Sequence, residues 1–198
     1  MNKIAILGQP PRSGGFAFQK EADVSIKLNS RVTLHQGRVF ELHRENITLD
    51  NGVTIDMDIV RHPGASAIVP ISHNKTVIML RQYRHAIGDF IWEIPAGTFE
   101  ADETPLECAK RELAEETGFL AKLWRELGVV TPLPGYADEQ IHIFFATELS
   151  PATQDLDKDE ILSVHKVGLD KAIEMIYGGM IQDCKTIAGL FMAAHSIR

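Results

Sequence analysis

The chain has 198 residues, of which 44% are hydrophobic and 24% are charged, so it can bury one core and a small additional unit. Its net charge of -7 at pH 7 argues against a nucleic-acid scaffold, because proteins hold phosphate backbones mainly with Lys and Arg. The two cysteines, Cys108 and Cys184, suggest neither a disulfide framework nor a metal-ligand pair. We therefore expect a soluble protein whose thiols are inert.

The N-terminal residues, MNKIAILGQPP, contain a four-residue apolar run after Lys3. This run is too short for a signal peptide, and no later stretch is long and apolar enough to span a bilayer. We expect a cytoplasmic protein that has no membrane partner.

β-forming residues dominate residues 24–60, where the turn sequence Asp50-Asn51-Gly52 separates two runs. This is a strong hairpin signal, so the region is predicted to form a small antiparallel sheet. Three segments carry the strand signal: VSIKL, RVTLHQGRVFEL and NITLDNGVTIDMDIV. Because the sheet has little apolar mass, we expect it to pack on the main domain or on a second subunit.

A domain boundary is predicted near Arg61 to Gly64, which gives an N-terminal β-sheet domain at residues 1–61 and a main domain at residues 62–198. In the main domain, strand signals occur in ASAIVPI, KTVIMLRQY, FIWEIPA, KLWRELGVV and IHIFFATEL. Helix signals cover residues 104–117, 169–178 and 184–196. The predicted class is α+β, with a mixed sheet flanked by helices.

The segment GTFEADETPLECAKRELAEETGF combines one glycine, one arginine and four glutamates at fixed spacing: Gly97, Glu103, Arg111, Glu112, Glu115 and Glu116. Thr104-Pro105 is a helix start and Gly118 is a helix end. On a period of about 3.6 residues, Glu112 and Glu116 lie one turn apart and Glu115 flanks them. The three carboxylates therefore share one side of a helix.

Three like charges this close destabilise an isolated helix, so a cation is expected to offset them. Hard oxygen ligands of this kind suit Mg²⁺ or Mn²⁺. A solvated acidic face is the alternative, but Gly97, Glu103 and Arg111 in register favour metal binding. We expect Gly97 to allow a tight turn towards the helix, and Arg111 with Glu103 to hold loop and helix together.

The pattern resembles the Nudix box, the motif of the Nudix family, at every defining position. The order of RHPGA, RQYR, WEIPAG, LPGYADEQIHIFFA and DKDEI, with Pro134 sixteen residues beyond Gly118, is similar to the ADP-ribose pyrophosphatase branch of the Nudix hydrolases. The resemblance spans residues 24–195 and implies a Nudix-like α/β/α sandwich preceded by a small antiparallel sheet. It also implies a homodimer in which the N-terminal sheet is exchanged between subunits and contacts substrate.

The resemblance further implies Mg²⁺- or Mn²⁺-dependent hydrolysis of ADP-ribose to AMP and ribose 5-phosphate. It implies that Arg84 binds a phosphate and that Glu93 faces the substrate. The implied metal ligands are the carbonyl of Ala96 and the carboxylates of Glu112, Glu115 and Glu116. These three glutamates, together with Glu160 in DLDKDEI as general base, form the implied catalytic set.

Several assignments stay open. Asp157 and Asp159 compete with Glu160 as the base, and Glu139 is a candidate for ribose or metal contact. Arg61 either braces the interdomain turn or contacts a phosphate or ribose group of the substrate. Trp92 is expected to lie in the core rather than under the adenine base. The segment DCKTI also resembles the neighbouring GDP-mannose branch, so another nucleotide-sugar diphosphatase is an alternative. A sensor that binds a nucleotide sugar without cleaving it is a third reading.

Overall fold

The computed structural model describes residues 25–197, which divide into two compact units. The smaller unit comprises residues 25–63 and 133–139, and the larger unit comprises residues 64–132 and 140–197. Residues 1–24 and 198 lie outside the described range. The expectation about a signal peptide and the first part of the predicted 1–61 domain concern those residues.

The smaller unit contains an antiparallel sheet in the order β1-β2-β3, formed by β1 (Lys27–Gln36), β2 (Glu41–Thr48) and β3 (Thr54–Arg61). In the turn between β2 and β3, the Gly52 amide donates to the Leu49 carbonyl at 2.9 Å, and Gly52 has a φ of 81°. This left-handed conformation favours glycine, which explains the hairpin signal in the sequence. The segment 133–139 joins the unit through the Val60 amide, which donates to the Tyr136 carbonyl at 2.8 Å.

Strand β1 leaves its apolar side chains exposed. Leu28, Val32 and Leu34 are 46%, 57% and 44% exposed. A strand that buries none of its large apolar side chains contributes little to the stability of its own unit. The small sheet therefore has the low apolar mass that its sequence indicates.

The larger unit contains a four-stranded mixed sheet in the order β7-β4-β9-β8, formed by β4 (Ala65–Pro70), β7 (Ala96–Thr98), β8 (Phe119–Val130) and β9 (Ile141–Pro151). β4 and β9 run parallel, whereas the other neighbours are antiparallel. A second, antiparallel sheet has the order β10-β5-β6, formed by β5 (Thr76–Arg84), β6 (Asp89–Glu93) and β10 (Leu162–Gly168). Sequence reasoning missed β10.

The larger unit also contains three helices among its described residues: α1 (Pro105–Thr117), α2 (Leu169–Tyr177) and α3 (Cys184–Ser196). Their bounds agree with the predicted helices to within one residue. No helix in the range 25–197 combines the length and apolarity needed to cross a membrane.

Two apolar clusters cover the faces of the mixed sheet. Ile68 of β4 belongs to the cluster under α1, with Leu113 and Trp124. The next residue, Val69, belongs to the larger cluster under α2 and α3, with Leu190. Successive residues of a strand point to opposite faces, so one strand serves both clusters. Helices therefore pack on both sides of the sheet, and the predicted α/β/α arrangement is confirmed.

Candidate active site

Helix α1 is fixed at both of its ends. The Thr104 amide donates to Glu107 Oε2 at 3.0 Å, and the Glu107 amide donates back to Thr104 Oγ1 at 3.4 Å, which forms a capping box. At the other end Gly118 has a φ of 69°, and its amide donates to the Ala114 carbonyl at 2.9 Å. These caps satisfy terminal backbone groups and fix where the acidic turn lies.

One face of α1 packs on the sheet. Cys108, Ala109 and Leu113 are fully buried, as the predicted apolar stripe requires. Burial, reinforced by the nearby Glu112 carboxylate, raises the pKa of the Cys108 thiol to about 12. Cys108 is therefore a packing residue and not a nucleophile.

Gly97 provides space for a carboxylate. It lies in β7 and does not have a positive φ, so the expectation of a tight turn at this residue is wrong. A Cβ atom at Gly97 would lie 1.7 Å from Glu112 Oε1. The residue is glycine because the Glu112 side chain lies directly against its backbone.

Arg111 ties the loop before α1 to the helix, as predicted. Its Nε and Nη2 atoms donate to the two oxygens of Glu103 at 2.9 and 3.0 Å, and Nη2 also donates to the Thr98 carbonyl at 3.2 Å. Its Nη1 atom donates to Glu112 at 2.6 Å and to Glu115 at 3.1 Å. The Arg111 hydrogen bond holds the pKa of Glu103 below its usual range. One guanidinium thus orders the loop and offsets part of the acidic cluster.

Glu112 and Glu116 are buried carboxylates. Burial raises the pKa of Glu112 to about 7, although the Arg111 charge opposes this shift. Burial and the Glu112 charge raise the pKa of Glu116 well above its ordinary value, although the Ala96 amide donates to Glu116 Oε2 at 2.8 Å. The acidic turn therefore holds more negative charge than its protein partners compensate.

Arg84 and Glu93 form an ion pair in the same unit. Arg84 Nη2 donates to Glu93 Oε2 at 2.6 Å, where Glu93 has its side chain 4% exposed. Burial lowers the pKa of Arg84, but the hydrogen bond and charge of Glu93, with the charges of Glu116 and Asp183, outweigh it and raise the pKa. Arg84 therefore lies in the electrostatic field of the acidic turn.

Glu160 is brought to the acidic turn from a distant loop. Its Oε2 atom accepts a hydrogen bond from the Asp157 amide at 3.0 Å. Burial raises the pKa of Glu160 and the Asp157 charge adds to this, while the hydrogen bond from the Asp157 amide and the Arg84 charge oppose it. The Glu160 charge in turn contributes to the raised pKa values of Glu112 and Glu116. The structure thus places the predicted base within electrostatic reach of the predicted metal ligands.

Arg61 and Glu139 belong to the smaller unit. Arg61 pairs with Glu45 at 2.6 Å and with Asp138 at 2.9 Å, so it braces β3 against β2 and the 133–139 segment. Glu139 lies 3.8 Å from His62. These contacts give Arg61 the bracing role, and its contact with substrate stays a prediction, as does that of Glu139.

Trp92 packs edge-on against His165 at 4.9 Å between ring centroids, and the Arg81 guanidinium lies 5.7 Å from its ring. It is partly buried against the larger apolar cluster. His142 pairs with Glu126 at 3.0 Å on neighbouring strands. The packing of Trp92 agrees with its expected place in the core.

Sequence reasoning missed Lys185 as a neighbour of the site. Its Nζ atom lies 3.3 Å from Glu93 Oε1 and 3.1 Å from Asp183 Oδ2. The residue lies in the DCKTI segment, where the Asp-x-Lys-Thr sequence at a helix start was the available signal. Its proximity to Glu93 is a tertiary contact that local patterns do not reveal.

The acidic turn fits a divalent cation. Three glutamate carboxylates and the Ala96 carbonyl are hard oxygen donors, which Mg²⁺ and Mn²⁺ prefer. Two of these carboxylates are buried with raised pKa values, so an added positive charge would stabilise their ionised forms. Across residues 25–197, no three His, Cys, Asp or Glu side chains are arranged to hold a metal ion as they stand, and Arg111 takes up Glu112 Oε1. Ion binding therefore requires these side chains to adjust.

The chain is similar to several known proteins. The ADP-ribose pyrophosphatase of Bacillus subtilis (strain 168) is 37% identical over 162 residues, which cover 81% of this chain and 88% of that protein. The methanol dehydrogenase activator of Bacillus methanolicus is 39% identical over 156 residues, which cover 78% of this chain and 84% of that protein.

The crystal structure of an ADP compounds hydrolase has a TM-score of 0.77 to this chain at 21% identity and covers 87% of this chain and 94% of its own, so it shows the shared fold. A family model described as NUDIX domain matches residues 60–184. Together with the acidic helix and its glycine, these likenesses show that the chain belongs to the NUDIX family.

Proposed function

We propose that this Nudix hydrolase uses Mg²⁺, or Mn²⁺ in its place, to cleave the diphosphate bond of ADP-ribose to AMP and ribose 5-phosphate. The observation that carries the proposal is the meeting of a buried acidic turn (Glu112, Glu116) with Arg84 and Glu160. A diphosphate needs both metal ligands and a cationic side chain, and this part of the fold supplies both. The substrate named for the Bacillus subtilis relative supports the choice of ADP-ribose.

Each predicted residue has a role in this proposal. Glu112, Glu115 and Glu116 would hold the divalent ion together with the Ala96 carbonyl. When bound, the ion would neutralise phosphate charge and would make a nearby water more acidic. Arg84 binds a phosphate oxygen through its guanidinium. Glu93, its ion-pair partner in the free protein, faces the substrate.

Glu160 is the proposed general base. It accepts a proton from the attacking water, whose oxygen forms a bond to one phosphorus atom of the substrate. The bond from that phosphorus to the bridging oxygen breaks, and the second phosphate leaves with the bridging oxygen and acquires a proton. The raised pKa of Glu160 makes its carboxylate a stronger base than that of an ordinary glutamate.

The smaller unit completes the proposed assembly. We infer a homodimer in which the N-terminal sheet is exchanged between subunits, and the exposed apolar residues of β1 support this. In that assembly Arg61 and Glu139 contact the substrate. We place the protein in the cytoplasm, with a nucleoside diphosphate sugar as its substrate and with neither nucleic acid nor membrane as a partner.

A substrate panel tests the proposal. The purified protein is incubated with ADP-ribose, GDP-mannose, other nucleotide sugars, diadenosine polyphosphates and nucleoside triphosphates, with Mg²⁺ and then with EDTA. The expected result is AMP and ribose 5-phosphate from ADP-ribose at the highest kcat/KM, with EDTA abolishing turnover. A higher kcat/KM for GDP-mannose or another sugar would replace the substrate and keep the chemistry. Binding without turnover of any compound would indicate a sensor and overturn the proposal.

A further inference from the structure

Two cations contact the carboxylate of Glu93. Arg84 Nη2 lies 2.6 Å from Oε2, and Lys185 Nζ lies 3.3 Å from Oε1. The Glu93 side chain is only 4% exposed, so water compensates little of its charge. A buried carboxylate needs one cationic partner, and Glu93 has two.

The two cations differ in how firmly they are held. The Arg84 side chain is 39% exposed, and its guanidinium donates hydrogen bonds to Glu93. The Lys185 side chain is 12% exposed and also contacts Asp183 at 3.1 Å. Asp183 caps α3, because its Oδ2 atom accepts from the Thr186 amide at 2.9 Å. Lys185 is therefore fixed by the helix start, whereas Arg84 has access to solvent.

The first turn of α3 is also fixed to the strand that carries Glu93. The Ile94 amide donates to Thr186 Oγ1 at 2.9 Å, and both residues are fully buried. Gly189, one turn further on, packs so closely that a Cβ atom there would lie 2.9 Å from Ile94 Cδ1. Lys185 thus keeps its place beside Glu93 whether or not Arg84 stays.

Removing the sole cation from a buried carboxylate is strongly unfavourable, because the remaining charge is neither solvated nor paired. An Arg84 that left Glu93 for a phosphate would incur this cost if no other cation were present. We propose that Lys185 is a positioning residue that remains as the counter-ion of Glu93 and so frees Arg84 to bind a substrate phosphate. This inference rests on the proposed function of Arg84.

A double-mutant cycle of thermal stability tests, without any substrate, whether Arg84 and Lys185 both compensate the charge of Glu93. Arg84→Met, Lys185→Met and the double variant are made in the wild-type chain and in a Glu93→Gln background, and Tm is measured in EDTA. Each single variant leaves Glu93 one cation, so the double variant is expected to lose about 4 °C or more beyond the sum of the singles. The excess disappears with Glu93→Gln. Additive losses in the wild-type chain would overturn the inference.

A kinetic cycle tests the release of Arg84. Lys185→Met is expected to raise KM for ADP-ribose roughly tenfold with a smaller change in kcat, because Glu93 then retains Arg84. Lys185→Arg restores the wild-type KM, since it keeps the charge. In the Glu93→Gln background, Lys185→Met changes KM by less than about twofold, because no buried charge is left to compensate.

Lys171→Met is the matched control, because Lys171 contacts only the exposed Glu174 on α2. An equal loss of kcat from Lys185→Met in both backgrounds would show a merely structural role and contradict the inference. A wild-type protein that binds ADP-ribose without cleaving it would overturn the proposed function. The same variants would then be compared by Kd for ADP-ribose instead of KM, so the role of Lys185 can be tested even if the proposed function fails.

Discussion

The missing side chain of Gly97 is what lets Glu112 lie against the backbone of β7. Because a Cβ atom would come within 1.7 Å of Glu112 Oε1, Gly97→Ala must displace the carboxylate. We expect kcat for ADP-ribose to fall by roughly 100-fold, as for other misplaced groups at reaction centres. Gly168→Ala is the control, since nothing lies within 4 Å of a Cβ atom there. Steady-state rates with saturating Mg²⁺ measure both variants, and similar rates would contradict this role for Gly97.

The charge of Glu112 gives a prediction about pH. The folded protein raises the pKa of this carboxyl from its ordinary value of 4.5 to about 7, so folding favours the protonated form. Its contribution to stability is complete below the unfolded pKa and is lost as pH rises through the folded pKa. In EDTA, Glu112→Gln is therefore expected to be more stable than the wild type at pH 8, and this advantage is expected to shrink as pH falls to 5.

Urea unfolding at each pH measures this difference, with Glu174→Gln on the surface of α2 as the control. The same Glu112→Gln variant is expected to lose turnover by at least about 100-fold, because it removes a proposed metal ligand. A constant stability difference from pH 5 to pH 8 would show that the carboxyl is ionised throughout.

Several site residues were predictable because their geometry is local. Glu112 and Glu116 are one helical turn apart whatever the rest of the fold does, so spacing alone places them together. The contact between Glu93 and Lys185 was not predictable in this way. It forms only when the end of β6 meets the start of α3 in the folded chain, as does the Ile94–Thr186 hydrogen bond across 92 residues. The need for space at Gly97 was also hidden, since sequence patterns do not show which side chain will approach a backbone.

At the scale of elements, helix α1 is stabilised by its capping box. Thr104→Ala removes the Thr104 side chain that accepts from the Glu107 amide, and it is expected to lower stability by about 1 kcal/mol. kcat is expected to change little, because the acidic turn lies at the other end of the helix. Thr104→Ser keeps the hydroxyl and is expected to retain wild-type stability. Urea unfolding compares the two variants, and an equal loss in both would show that the cap is unimportant.

The helices were predictable to within a residue because Thr104-Pro105 and Gly118 mark the ends of α1. Strand β10 was not, because its apolar residues Leu162, Val164 and Val167 do not alternate strictly with polar ones. It forms because it pairs with the edge of β5 over seven residues, from Leu162↔Gln82 to Gly168↔Thr76. A strand that depends on its neighbour for pairing carries only a weak signal in its own sequence.

At the scale of the whole molecule, the exposed side chains of β1 predict an oligomer. The expected species in size-exclusion chromatography with light scattering is twice the mass of the 22.0 kDa chain. Val32→Glu puts a charge on the exposed apolar surface of β1 and is expected to shift the protein towards monomer. Asp58→Glu on β3 serves as the control, because it preserves charge. A wild-type monomer at all concentrations would refute the exchanged-sheet assembly.

The two cysteines differ so much in environment that one thiol of the natural chain, that of Cys184, can be labelled selectively. Cys108 is buried with a pKa of about 12, so a maleimide will not modify it in the folded state, whereas Cys184 is exposed. Cys184 begins α3 and directly precedes Lys185. A fluorophore attached there will sit beside the Glu93 network, and its emission can follow ligand binding in real time without any engineered thiol.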